Sequence, residues 1–118
     1  MSLEGSWVVE NLAVGGELVR PLDSGKPLTL EVRAGRVSGS SGVNRFVGTL
    51  GAEKAFSTLA TTRMAGPEKL MAQEAILLAH FESVDSVEAS ESGVLLLSEG
   101  LVVLTLVSSG TEGASVTS

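Results

Sequence analysis

The sequence predicts a mainly β fold of the α+β kind: a compact antiparallel, β-barrel-like sheet with one α-helix packed on it. Three observations lead there. Short apolar runs with strand-like alternation recur from Trp7 to Val107, turn residues punctuate them, and a single stretch around residue 70 has a helical period instead. So many short strands exceed what one flat sheet comfortably uses, and the sheet is expected to curl until it is closed or nearly so. At 118 residues the chain is one domain with room for a real core. We place the domain at residues 5–107 and expect the small, polar tail at 108–118, SSGTEGASVTS, to be disordered.

Taken in order, Trp7-Val8-Val9 reads as the first strand, and Gly15-Gly16 and Asp23-Ser24-Gly25-Lys26-Pro27 as turns. Leu28 to Arg33 alternates cleanly, with Leu28, Leu30 and Val32 on one face and Thr29, Glu31 and Arg33 on the other. Two further strands, Arg36 to Ser38 and Arg45 to Leu50, are joined through Gly39-Ser40-Ser41-Gly42. The helix runs from about Pro67 to Glu82, with proline suited to a first turn where its missing N–H has no helical partner. Its apolar arc holds Leu70, Met71, Leu77, Leu78 and Phe81, and Glu74 sits in the middle of that arc. Val94 to Leu97 and Leu101 to Val107 form a hairpin turning at Ser98-Glu99-Gly100.

Composition removes several classes of function. The formal net charge is −6 and the eight Lys and Arg are scattered, so a phosphate backbone meets repulsion rather than a basic stripe, and nucleic acid is set aside. The absence of cysteine rules out a disulfide, a thiolate nucleophile or a Cys-ligated metal, and one histidine leaves little else for zinc. No metal or cofactor is expected. The apolar runs are interrupted well short of a membrane-spanning helix. Localisation stays open: cytoplasmic for the chain as given, envelope where Met1-Ser2-Leu3 replaces a removed leader.

Gly39-Ser40-Ser41-Gly42 is not a phosphate loop, because no Gly-Lys-Ser/Thr ending follows and the next residues, Asn44-Arg45-Phe46-Val47, are strand-like. It reads as a bulge or tight crossover where a side chain would clash, or as bare backbone approached by a ligand. His80, on the flank of the helical stripe, has no Gly-x-Ser-x-Gly elbow to serve, and Glu82, Asp85 and Glu88 read as a solvated charged connection. No catalytic residue is assigned, and no enzyme is expected. Trp7 reads as packing.

Glu74 is the sharper case. A carboxylate on a buried stripe is costly unless an arginine or several donors meet it, so a clamp tying helix to sheet is expected. Arg63 and Arg45 are the nominated partners, with Asn44 in the same corner. A ligand-facing acid and a Glu that bends out to solvent are the alternatives.

The segment Gly39-Ser40-Ser41-Gly42-Val43-Asn44-Arg45-Phe46-Val47-Gly48, then Thr62-Arg63-Met64-Ala65-Gly66-Pro67, then Met71-x-x-Glu74 on a helix, with Trp7 at the start, resembles the META domain, the family of the heat-shock protein HslJ. The likeness runs from about Trp7 to Val107. Members often carry cysteine where this chain has Val43 and Gly66, and the resemblance implies that these are the positions of a lost disulfide. It also implies a β-barrel-like fold with one helix. In function it implies a non-enzymatic, stress-associated protein that binds a partner or supports the cell envelope, with no shared ligand or reaction. The alternative is a barrel carrying a small apolar ligand, which an enclosed interior pocket would favour and a filled interior would oppose. The partner, a protein or a small ligand, and the oligomeric state are left open.

Overall fold

The computed structural model describes residues 3–23, 25–51, 56–62 and 64–109, which form nine strands and one helix. The strands are β1 (Gly5–Val14), β2 (Glu17–Val19), β3 (Thr29–Arg33), β4 (Arg36–Ser40), β5 (Arg45–Leu50), β6 (Phe56–Thr61), β7 (Ser86–Ala89), β8 (Gly93–Ser98) and β9 (Leu101–Ser108). The helix α1 (Glu68–Ser83) lies between β6 and β7. The sheet order is β6-β5-β4-β3-β1-β9-β8-β7, with β2 paired to β1, and every pairing is antiparallel. The sheet is curled into a half-barrel, as its strand count predicted.

Strand β1 is where the curl is easiest to trace. On one side its first half pairs with β3, through Gly5 to Val8, and its last residues pair with β2, through Leu12 to Val14. On the other side it follows β9, with a break in register between Val9 and Asn11. A bulge of this kind bends the strand and raises its local twist, so the sheet wraps rather than staying flat.

The alternation through β3 and the preceding Leu28 puts Leu28, Leu30 and Val32 on the inner face, each at most 2% exposed. Val37, Phe46, Leu104, Leu106, Val94 and Leu96 join them from neighbouring strands. Helix α1 closes the concave side with Leu77 and Phe81, both fully buried. The three phenylalanines of the chain meet there: the Phe81 ring lies 5.2 Å from Phe46 and 5.1 Å from Phe56, tilted to one and edge-on to the other. The interior of the half-barrel is thus packed side chain. Trp7 is half-buried at its margin, and its indole N–H donates to the Leu3 carbonyl at 2.9 Å.

Several expectations shift at their edges. Pro67 is the N-cap, with φ −56° and ψ 144°, and the helix begins at Glu68 rather than at the proline. The buried stripe is Leu70, Gln73, Glu74, Leu77 and Phe81, spaced as one helical face, while Met71 and Leu78 are only half-buried. Gln73 escaped the apolar count because the pattern registers hydrophobic side chains only. Gly39 and Ser40 belong to β4, so the corner begins at Ser41. The connection carrying Asp85 and Glu88 contains a short edge strand, β7, whose one charge, Glu88, suits an unprotected sheet edge. Strand β9 runs through Ser108, one residue into the expected tail, and residues 110–118 lie outside those described. No helix among the described residues is long and apolar enough to cross a membrane.

Three hairpins turn on two residues with positive φ: Gly15-Gly16, Ala34-Gly35 and Glu99-Gly100. This geometry matches strand twist and favours Asn-Gly. Ala34, at φ 51°, is exposed, and its methyl group offers no local hydrogen bond to support that conformation. Ala34→Asn should stabilise the protein by about 0.5–1 kcal/mol, raising Tm by roughly 3–5 °C in a calorimetric scan; a lower Tm would show that another turn geometry operates.

Candidate functional site

The corner between β4 and β5 gathers most of the buried polar groups. Gly39 has no alternative there: a Cβ would run into the Thr29 carbonyl oxygen and come within 2.8 Å of the Phe46 ring. Residues 41–44 then turn the chain, with the Ser41 N–H donating to the Asn44 carbonyl at 2.9 Å and the Ser41 hydroxyl, whose one proton is shared with a second acceptor, 3.0 Å from the same carbonyl. The Lys26 N–H donates to the Gly42 carbonyl at 3.1 Å, tying in the segment before β3.

Glu74 of α1 reaches into this turn and is 7% exposed. Its Oε1 accepts from the Ser41 hydroxyl at 2.8 Å, the Asn44 backbone N–H at 3.1 Å and Asn44 Nδ2 at 3.2 Å, and its Oε2 accepts from Asn44 Nδ2 at 2.9 Å. The Asn44 side chain then extends the network to the segment after β6. Its Oδ1 accepts from the Met64 N–H at 2.7 Å and the Thr62 hydroxyl at 2.9 Å, while Nδ2 also donates to the Met64 carbonyl at 3.1 Å. The side-chain amide therefore pairs with Met64 as a neighbouring strand's peptide would. Thr62 completes the knot, its N–H donating to the Arg45 carbonyl at 3.0 Å and its Oγ1 accepting the Arg45 N–H at 3.1 Å.

Arg45 is not the partner of Glu74. Its backbone takes part in the knot, but its side chain is exposed, and among the described residues the ion pair is Arg33 with Glu31 at 2.8 Å. The reason is strand alternation: Phe46 takes the inward position at 1% exposure, so Arg45 beside it must point out. Arg63 lies outside the described residues. The donors that meet Glu74 are two short polar residues of the turn. Ser41 went unnamed as a partner because a serine in a glycine-rich turn looks like any other turn residue.

Two other helical polar groups are also committed to the sheet side. Gln73 Oε1 accepts from the Leu22 N–H at 2.8 Å. His80 Nε2 lies 2.7 Å from the Ala13 carbonyl and donates to it, so that nitrogen is engaged as a tether from α1 to the end of β1. Among the described residues, no group of three or more His, Asp or Glu is placed to hold a metal ion.

Among the described residues, three grooves open on the outer surface. One, of about 310 Å³, has the Asn44–Glu74 knot at its base and Met64, 58% exposed, at its rim. A second, of about 560 Å³, crosses the outward faces of β3, β4 and β5 at Arg33, Arg36 and Val47. The third, of about 310 Å³, lies between the β1–β2 hairpin and α1.

The profile of the META domain matches residues 1–110. The chain belongs to the META domain family. An NMR structure of a protein from Burkholderia xenovorans is similar to this META domain with a TM-score of 0.71 and 26% sequence identity, over 90% of this chain and 82% of that one. No curated protein is significantly similar in sequence.

Val43 and Gly66, the positions that the family resemblance implies for a lost disulfide, face each other here. A Cβ built on Gly66 lies 3.5 Å from the Val43 Cβ, within the separation of about 3.5–4.5 Å found in disulfides. It also lies 2.9 and 3.0 Å from the Val43 methyl carbons, so Val43 occupies space that a second side chain would need, and Gly66 leaves it free. The paired variant V43C/G66C should form a disulfide on air oxidation, seen as a 2 Da mass loss and no free thiol, and closing that loop should stabilise by about 3 kcal/mol against its reduced form. Persistent free thiols in the folded variant would show that the Cβ vectors diverge.

Asn44→Ala removes the side-chain amide donor to both Glu74 oxygens, leaving the Ser41 hydroxyl and the residue 44 backbone N–H, and it deprives the Met64 N–H of its acceptor, so it should cost about 3 kcal/mol in equilibrium urea unfolding. Arg45→Ala, which leaves the knot's backbone contacts in place, should stay within about 0.5 kcal/mol of the parent. Equal losses for the two variants would refute the assignment.

Proposed function

We propose that this META-domain chain is a non-enzymatic binding protein that engages its partner on its outer surface, in a stress-associated or envelope-supporting role. The observation that carries this reading is the filled concave face. Phe46, Phe81, Leu77, Leu96 and Leu104 are each at most 1% exposed and occupy the volume in which a lipocalin-like carrier would hold a ligand. The grooves that remain are open to the outside.

A non-catalytic role is supported by the state of the polar corner. A general acid, base or nucleophile needs an atom free to meet substrate. At this corner the carboxyl of Glu74, both side-chain atoms of Asn44 and the hydroxyls of Ser41 and Thr62 hydrogen-bond one another and the Met64 backbone. Such an arrangement sets geometry rather than chemistry. The stress and envelope associations rest on the family resemblance, and fold alone does not supply a function.

Native mass spectrometry of untagged protein purified from its own source tests the proposal. A stoichiometric protein complex is the expected result. A monomer retaining a small apolar molecule through dialysis, with the amide shifts it causes centred on Phe46, Phe81 and Leu104 rather than on the outer grooves, would establish an interior carrier instead.

A further inference from the structure

The groove between the β1–β2 hairpin and α1 combines two features that occur together nowhere else in the described surface grooves. Its walls are apolar and exposed, and its charged residues are all cationic. Leu12 and Val19 face one another across the hairpin, Val14 lies two residues along the same face, and Ile76 projects from the helix opposite. Val14, Val19 and Leu22 are 41%, 38% and 43% exposed, a local concentration of large apolar side chains in contact with water. Ala72 leaves room where a longer side chain would fill the groove. The Leu22 N–H bond to Gln73 at 2.8 Å and the His80 bond to the Ala13 carbonyl hold hairpin and helix at a set spacing, so the groove is preformed.

Arg20 and Lys69 line this groove, and no acidic residue does, in a chain with 14 Asp and Glu against 8 Lys and Arg. Glu17, Asp23 and Glu68 are near in sequence but do not line it, and among the described residues neither cation makes an ion pair. We propose that this groove binds a monomeric single-chain amphiphile with a carboxylate head, its alkyl chain on Val14, Val19, Leu22 and Ile76 and its head on Arg20 and Lys69. The guanidinium fork matches a carboxylate in shape, and the ammonium adds a second charge. At about 310 Å³ the groove stands at the lower end of small-molecule sites, suited to one slender chain rather than a bulky ring system. The site is separate from the filled interior and is independent of the protein partner proposed above.

The test titrates the full chain, ¹⁵N-labelled, with sodium dodecanoate below its critical micelle concentration. Amide shifts should centre on Val14, Val19, Leu22, Ala72 and Ile76. Dodecyltrimethylammonium, with a similar chain and the opposite head charge, should bind roughly tenfold or more weakly, and R20E/K69E should weaken dodecanoate about tenfold while leaving the circular dichroism unchanged. Val19→Thr, which keeps strand propensity, gives a second readout through the apolar wall and should also weaken binding. Absence of dodecanoate shifts, equal affinity for both head groups, or shifts centred on the β3–β5 groove at Val47 would each overturn the proposal. So would sedimentation with phosphatidylglycerol vesicles without dodecanoate binding, which would make the patch a membrane contact.

Discussion

The carboxyl group of Glu74 is the constraint on which the arrangement of this protein turns. Placing it on the buried face of α1 removes it from water, which is tolerable only when the surrounding donors are fixed in number and position. Ser41 and Asn44 supply four contacts from a turn that could not hold its shape alone. Helix and turn thus need each other. Because Asn44 also clasps Met64 and Thr62, the same group sets where the chain leaves β6 and enters the helix. One buried polar cluster registers three segments far apart in sequence, a task that apolar packing performs less specifically.

The apolar side of α1 completes that registration. Leu77 and Phe81 lie one and two turns beyond Glu74 on the same face, so seating the carboxyl delivers Phe81 between Phe46 and Phe56. The helix plugs the half-barrel, which is why the interior holds side chains and the accessible concavities lie outside. A protein built this way presents surfaces. Its distinguishing features are the grooves left beside the hairpin, beside the knot and across the outer strands.

The site was legible in the sequence to different depths. Glu74 stood out because it broke an apolar period. Its partners did not, since arginine is the natural nominee for a carboxylate, while an asparagine that uses its backbone and its side-chain amide together leaves no sequence signature. Gln73 was hidden for a related reason: its bond to Leu22 makes burial tolerable, and that bond exists only once the two segments are brought together. Strands β2, β6 and β7 are short or lack a regular alternation of apolar residues, because an edge position or a short pairing needs little burial to persist. The facing of Val43 and Gly66 came from family resemblance rather than from any local pattern.

The sequence by itself determined the periodic parts: the alternation of Leu28, Leu30 and Val32, the apolar arc of one helix, the last hairpin, and the exclusion of thiol chemistry and of a basic nucleic-acid face. Those follow from nearest-neighbour geometry, in which side-chain direction repeats every two residues in a strand and every 3.6 in a helix. Only the tertiary structure decided that Asn44 and Ser41 rather than Arg45 meet Glu74, that the barrel is filled, and that two cations line one apolar groove. Each of these depends on distances between segments tens of residues apart, which no local period encodes.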